Sequence, residues 1–347
     1  MNRSGKALLI ATRVFTENSR LRSWWYLGTT LFLVVLSLFL AGLAPWWPLR
    51  LAGAILGGLI MARAFILYHD FMHGSILKGS LPAKLLLYAV GLLMLVPPRS
   101  WRESHNYHHA NVAKLGKSGV GSYPLMTIAE WSKATPRQRF VYRLSRHPLT
   151  ILSAYFTIFA LTITVSPLLK HPRKNWDSLL ALVLHGGTMF GLWVIGGPWL
   201  VFFVVVLPFT IASALGAYLF YAQHTFPGIK MLQANEWTYY RAALESSSYL
   251  KMGRVMSWFL GNIGYHHVHH LNRLIPFYRL PEAMAAIPEL QHPTVTSLHP
   301  RDILACLRLN LWDEHAARMV SYHEVDNPLM SIPPREDIGR EVHEGSS

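Results

Sequence analysis

The chain has 347 residues, of which 52% are hydrophobic, 14% charged and twelve Trp, a balance too apolar for a soluble domain of this size. It is read as an integral membrane protein. The net charge of +14 does not point to nucleic acid, because the basic residues flank apolar runs and form no aromatic-interleaved stripe; it fits a cytoplasmic surface facing anionic lipid.

The first 23 residues carry Arg3, Lys6, Arg13, Arg20 and Arg22 without a short apolar core ending at a small-residue cleavage site, so no cleaved signal peptide is expected. Residues 25–43 are uninterruptedly apolar, enough to cross a hydrocarbon core of about 30 Å at about 1.5 Å per residue. The turn Ala44-Pro45-Trp46-Trp47-Pro48 follows, and residues 51–68 return across the bilayer toward His69. Arg63 interrupts this second span, where it would snorkel or meet Asp70.

Residues 81–96 are apolar again but lie between two histidine clusters that must share one side of the membrane, so they are expected to be re-entrant or interfacial. Residues 151–169 are long enough to span, yet Arg143 and Arg146 precede them and Lys170, Arg173 and Lys174 follow. With both ends positive, this segment too is expected not to cross, with a break near Ser166-Pro167. Residues 179–195 and 199–221 then form a hairpin of spans joined by Gly196-Gly197-Pro198, and residues 234–260 read as one amphipathic cytoplasmic helix. The expected fold is all-α: one membrane domain over residues 1–325, with four spans and a cytoplasmic helical cap holding a dimetal site, then a poorly ordered tail over 326–347.

The cap expectation rests on histidine. The stretch His266-His267-Val268-His269-His270 packs four histidines into five positions. On a helix His266, His269 and His270 leave one face about 5–6 Å apart at Cβ. The same spacing recurs in His105-Asn106-Tyr107-His108-His109, and His69-Asp70-Phe71-Met72-His73 adds an i, i+4 pair. With 18 histidines in the chain, H-x-x-H-H should occur by chance roughly 0.05 times; it occurs twice. One cysteine, Cys306, excludes an intrachain disulfide and any C-x-x-C or four-cysteine metal site.

The candidate ligands are His69, His73, His105, His108, His109, His224, His266, His269 and His270. They are too many for one metal and imply two ions with open positions. Imidazole suits iron, copper, zinc and nickel alike, so ligand type alone does not choose the metal. His267, one residue from His266, points off that face and is expected in a supporting position or in solvent, and Asp70, Glu103 and Glu236 are candidates to orient ligand imidazoles. His185, inside the third span, is expected to pack or hydrogen-bond between helices.

These boxes resemble those of the membrane fatty acyl desaturases, in particular the bacterial and plant ω-6 (Δ12-type) acyl-lipid branch. The likeness extends to Tyr221-Ala222-Gln223-His224-Thr225-Phe226-Pro227, Pro172-Arg173-Lys174-Asn175-Trp176-Asp177 and Asn235-Glu236-Trp237, covering most of residues 20–285. It implies a histidine-ligated diiron centre that uses O2 and two external electrons to introduce a double bond into a lipid acyl chain, with water as co-product. A separate electron donor such as ferredoxin is expected, because no His-Pro-Gly-Gly haem motif occurs. Arg99, Arg102, Lys114 and Lys117 are candidates for the lipid headgroup. The first box has three residues between its histidines, unlike the Δ9 acyl-CoA branch with four. That branch's Asn ligand would fall on Phe220, so it is not carried over. Rival readings are a diiron hydroxylase or ketolase acting on an alkane, sterol or carotenoid, and, from another class, a membrane metal transporter. A transporter should place its ligands mid-span and not at span ends.

Overall fold

A computed structural model describes residues 3–116 and 123–327 of the chain. Eight helices organise it: α1 (Arg20–Leu43), α2 (Trp47–His73), α3 (Leu81–Leu93), α4 (Pro98–Asn111), α5 (Pro136–Arg146), α6 (Trp176–Val201), α7 (Leu207–Ala222) and α8 (His266–Leu271). Among the described residues, three helical stretches are long and apolar enough to cross a membrane: α1, α2 and the run from Trp176 to Ala222.

Helix α2 is the axis. Every residue from Ile60 to Asp70 is buried, as expected of a helix enclosed by neighbours on all sides. Helix α1 packs along it while turning Trp25, Phe32, Val35 and Phe39 outward. The close approach depends on Gly53, where a Cβ would lie 2.6 Å from the Ala41 amide nitrogen. At its C-terminus α2 stops on Gly74 in the left-handed conformation, just past His73.

The reversal proposed at Gly196-Gly197-Pro198 is present. Gly197 has φ 72° and ψ −168°, and the His185 and Phe209 ring centroids approach to 4.8 Å. In an unbroken helix these residues would stand about 36 Å apart, so residues 176–222 double back. His185 bonds between helices as expected, donating through Nδ1 to the Leu93 carbonyl at 2.8 Å and facing the Tyr155 hydroxyl through Nε2 at 2.6 Å.

Helices α3 and α4 meet at an 88° bend. The elbow between them has Leu95 at φ 57° and three tied carbonyls: Leu93 accepts from His185, Leu95 from the Thr164 hydroxyl and Val96 from the Tyr68 hydroxyl. Each donor comes from a different helical segment, which fixes the direction in which α4 leaves.

Several sequence expectations need correction. No break occurs at Ser166-Pro167: the backbone is π-helical over Tyr155–Val165 and continues helically through Ser166–Lys170. Residues 234–260 are not one helix but Tyr239–Glu245, strand β1 (Tyr249–Lys251) and Arg254–Phe259. The buried Ser246-Ser247-Ser248 run ends the first helix, with the Ser246 hydroxyl turned to the Lys230 carbonyl. Strand β1 pairs in parallel with β2 (Val295–Ser297), and β3 (Leu311–Asp313) pairs antiparallel with β4 (Arg318–Val320). The protein is mostly helical, with these four three-residue strands as its sheet structure among the described residues.

Two arginines, Arg63 and Arg146, are buried. Arg63 neither snorkels nor meets Asp70; it bonds Thr30 and the Trp258 carbonyl and lies 4.4 Å from the Trp258 ring. Arg146, named above among the positive charges flanking residues 151–169, is 2% exposed.

Candidate metal centre

All three histidine boxes and His224 converge at one end of the α2 and α7 helices. Their ring nitrogens sort into two groups, His69, His73, His105, His109 and His269 in one and His108, His224, His266 and His270 in the other. Within each group the potential ligand atoms lie within 4.8 Å of one another.

The sorting follows from helix geometry. At about 100° per residue, positions i and i+4 nearly coincide in direction whereas i+3 fans to the other side. His69 with His73, and His105 with His109, are i, i+4 pairs that enter the first group, while His108 leaves for the second. In α8 the pair His266 and His270 enters the second group, and His269 crosses to the first. Each H-x-x-H-H box thus serves both groups, and the two groups abut where the His109 and His270 rings stack at 4.3 Å.

The Nε2 atoms face one another. His73 Nε2 lies 3.2 Å from that of His69 and 3.0 Å from that of His105; His109 Nε2 is 3.1 Å from His105 and 3.2 Å from His269. In the second group His224 Nε2 is 3.1 Å from His108 and 2.9 Å from His266, and His108 to His270 is 3.3 Å. Two residues have their tautomers set from behind. Asp70 Oδ1 holds His69 Nδ1 at 3.2 Å, and His224 Nδ1 donates to the Ser246 carbonyl at 3.1 Å.

Burial pushes His266, His269 and His270 well below the ordinary imidazole range and lowers His224 to about 4. These imidazoles are neutral at pH 7, with lone pairs available. Lone pairs converging without an acid among them repel, and a bound cation relieves that repulsion, so the residues fit a metal.

The supporting positions divide. Asp70 is buried between His69 and the backbone of the segment after α8, accepting from the Phe277 amide at 2.7 Å. Glu103 is exposed and pairs with Lys174 at 2.6 Å, and Glu236 is exposed; neither reaches the histidines, and both fail as orienting groups. His267 turns away into a separate core, where its Nε2 donates to the Leu290 carbonyl at 3.1 Å. Arg99 and Arg102 are exposed on α4, the latter bonded to the Tyr88 hydroxyl at 2.9 Å. Lys114 lies 5.2 Å from the Trp237 ring. Lys117 falls outside the described residues.

Sequence reading missed Trp101, whose indole stacks on His105 at 4.4 Å. Its place one turn before the box was the available signal. Replacing Asp70 by Asn keeps an acceptor for Phe277 but removes the carboxylate behind His69. The expected outcome is a 10–100-fold loss of metal affinity, read by metal titration of the purified protein; an unchanged affinity would remove Asp70 from the site.

Beneath His69, His105 and His266 opens an apolar cavity walled by Ala62, Phe65 and Ile66 of α2, Ala212, Ser213, Gly216 and Leu219 of α7, and Met94, Phe159 and Phe220.

The comparisons with known proteins agree with this geometry. The family model described as fatty acid desaturase matches residues 44–301. A fatty acid desaturase of Bacillus subtilis (strain 168) is 33% identical over 82% of this chain and 81% of its own length. An sn-1 oleoyl-lipid 12-desaturase of Anabaena variabilis is 24% identical over 79% of this chain and 78% of its own. A chloroplastic sn-2 acyl-lipid omega-3 desaturase (ferredoxin) of Helianthus annuus is 26% identical over 82% and 66%. The match spans every histidine of both groups, and on this ground the chain belongs to the fatty acid desaturase family and is a membrane oxidoreductase with a histidine-rich metal site.

Proposed function

We propose that the two histidine groups hold two iron ions and that the protein uses O2, with electrons from a separate donor such as ferredoxin, to introduce a cis double bond into a lipid acyl chain. One observation carries this reading: two all-imidazole groups share one wall with an apolar cavity, His69, His105 and His266 belonging to both. When bound, iron supplies the oxidation of an unactivated C–H bond, which side chains alone do not perform.

The chain's own residues do the rest. The apolar wall from Phe65 to Leu219 holds an extended chain and excludes water. Asp70 and the Ser246 carbonyl keep the Nδ1 proton on His69 and His224, which leaves both Nε2 atoms free to bind metal. Phe220, with its ring 6.1 Å from His105 and 6.5 Å from His108, lies beneath both groups and supplies no ligand. Arg99 and Arg102 are suited to a lipid headgroup by their exposure on the helix that carries the second box.

In the membrane, α1, α2, α6 and α7 are assigned as four crossings, with the elbow of α3 and α4 and the segment 151–169 remaining on one side. The reversal at Gly197 and the 88° bend support this count. Arg20, Arg22, Lys170, Arg173 and Lys174 flank that side, so it is assigned to the cytoplasm. The placement of the histidines at helix ends argues against a transport pathway. A hydroxylase on the same centre remains the second reading, but acyl-lipid desaturases among the relatives favour desaturation.

The test is gas chromatography with mass spectrometry of fatty acids from a bacterial host expressing the chain, beside an empty-vector control. A new double bond is expected, and its position names the product. A hydroxylated product instead would establish the second reading, and metal flux without lipid oxidation would establish transport.

A further inference from the structure

Arg146 closes α5 and is buried at 2% exposure, yet no ion pair among the described residues includes it. A buried guanidinium without a carboxylate carries a large desolvation cost, and an apolar side chain of similar length would fill the same space. Its contacts explain its presence. Nη1 donates to the Pro124 carbonyl at 2.8 Å, and Nη2 faces the Tyr221 hydroxyl at 3.1 Å, the Thr225 hydroxyl at 3.3 Å and the Leu309 carbonyl at 3.1 Å. The guanidinium carbon also lies 4.9 Å from the centre of the Tyr221 ring.

Tyr221 and Thr225 stand on either side of His224. They are the last full turn of α7 and the residue after the histidine, and one guanidinium holds both. The Tyr221 hydroxyl also donates to the Leu309 carbonyl at 3.0 Å. Leu309 lies beyond residue 301, where the family match ends, and the adjoining Asn310 carbonyl accepts from the Tyr142 hydroxyl of α5. A rigid planar fork with five donors reaches three separate segments at once, which lysine with its single head cannot do.

We propose that Arg146 is a positioning residue for His224, through which the segment after Leu309 braces the second histidine group. The inference rests on the two-iron reading. It is asymmetric: His224 belongs to the second group, and no member of the first group contacts Arg146, Tyr221 or Thr225 through a hydrogen bond.

The experiment compares the full-length wild type with Arg146→Met, Arg146→Lys and His224→Ala, measuring iron per chain, the Mössbauer spectrum and thermal unfolding of the iron-free protein. Arg146→Met is expected to resemble His224→Ala, with iron affinity of one site reduced about 10–100-fold and the other site filled. Arg146→Lys restores part of that loss. A folded Arg146→Met protein with two irons and the wild-type spectrum overturns the proposal, as does equal loss from both sites in step with unfolding. If Arg146→Met does not fold, the Tyr221→Phe, Thr225→Val double variant removes the two side-chain hydroxyls that flank His224 and leaves the arginine, and the same one-sided loss is expected; full iron there overturns the proposal. A wild type that itself fails to hold two irons overturns the two-iron reading and this inference with it, and is told apart because the defect is then present before any substitution.

Discussion

Replacing His269 with alanine is expected to abolish double-bond formation while the neighbouring His267→Ala protein keeps its activity. His269 is fully buried and is the only residue of α8 in the first histidine group. Its Nε2 lies 3.2 Å from that of His109, and its ring is 4.6 Å from that of His69. Truncation removes a nitrogen from the first group, so metal retention suffers. Metal ions contribute several kcal/mol to such transition states, and a loss of that size corresponds to at least about 1000-fold in rate. His267 is equally buried but donates to the Leu290 carbonyl, away from both groups. Product formation per folded protein, measured by mass spectrometry for the two variants side by side, checks the expectation. Activity in His269→Ala within about tenfold of wild type would show that the first group is not a catalytic metal site.

The second large effect is on stability. Gly264→Ala is expected to destabilise the protein by about 3 kcal/mol, the upper range for forced overpacking, and to lower metal content with it. Gly264 precedes the third box by two residues. Its carbonyl accepts from the Leu250 amide at 2.9 Å, and a Cβ on it would overlap the Leu250 carbonyl oxygen and come 2.8 Å from Met252 Cε. A methionine tip can move aside, but a backbone carbonyl in a strand paired to β2 cannot. The relief must come from shifting Gly264 itself, and the shift carries Tyr265 and the start of α8 with it. Thermal unfolding and metal content of the purified variant test this together. An unchanged unfolding temperature would mean that the loop before α8 is looser than its contacts imply.

The same residues show how far spacing could be read. The i, i+3, i+4 pattern named the ligand candidates, and the helical angle between i+3 and i+4 accounts for why each H-x-x-H-H box is divided. Glu103 fails for the same geometric reason. Two positions before His105 it lies about 200° around α4, on the outer face, where it meets Lys174. Nearness in sequence was the only argument for it. Glu236 falls within residues 234–260, expected to be one helix, but it lies in an exposed turn ahead of Thr238, whose side chain caps the helix Tyr239–Glu245.

Arg63 and Arg146 mark the other limit. A charge beside an apolar run reads as a surface residue, since burial of an arginine is costly; both are enclosed because carbonyls, hydroxyls and aromatic faces from distant segments meet them. Those partners are 22 to 195 residues away in the chain, so nothing local announces them.

Composition, the apolar runs and the histidine spacing were enough to establish a helical membrane protein with a histidine-bound metal site, because hydrophobic length and helical periodicity are properties of a segment by itself. Which histidines face which, where the apolar cavity meets them, and which charges lie inside required the packing of α2, α4, α7 and α8 against one another, because convergence of side chains from separate helices depends on crossing geometry that no single segment contains.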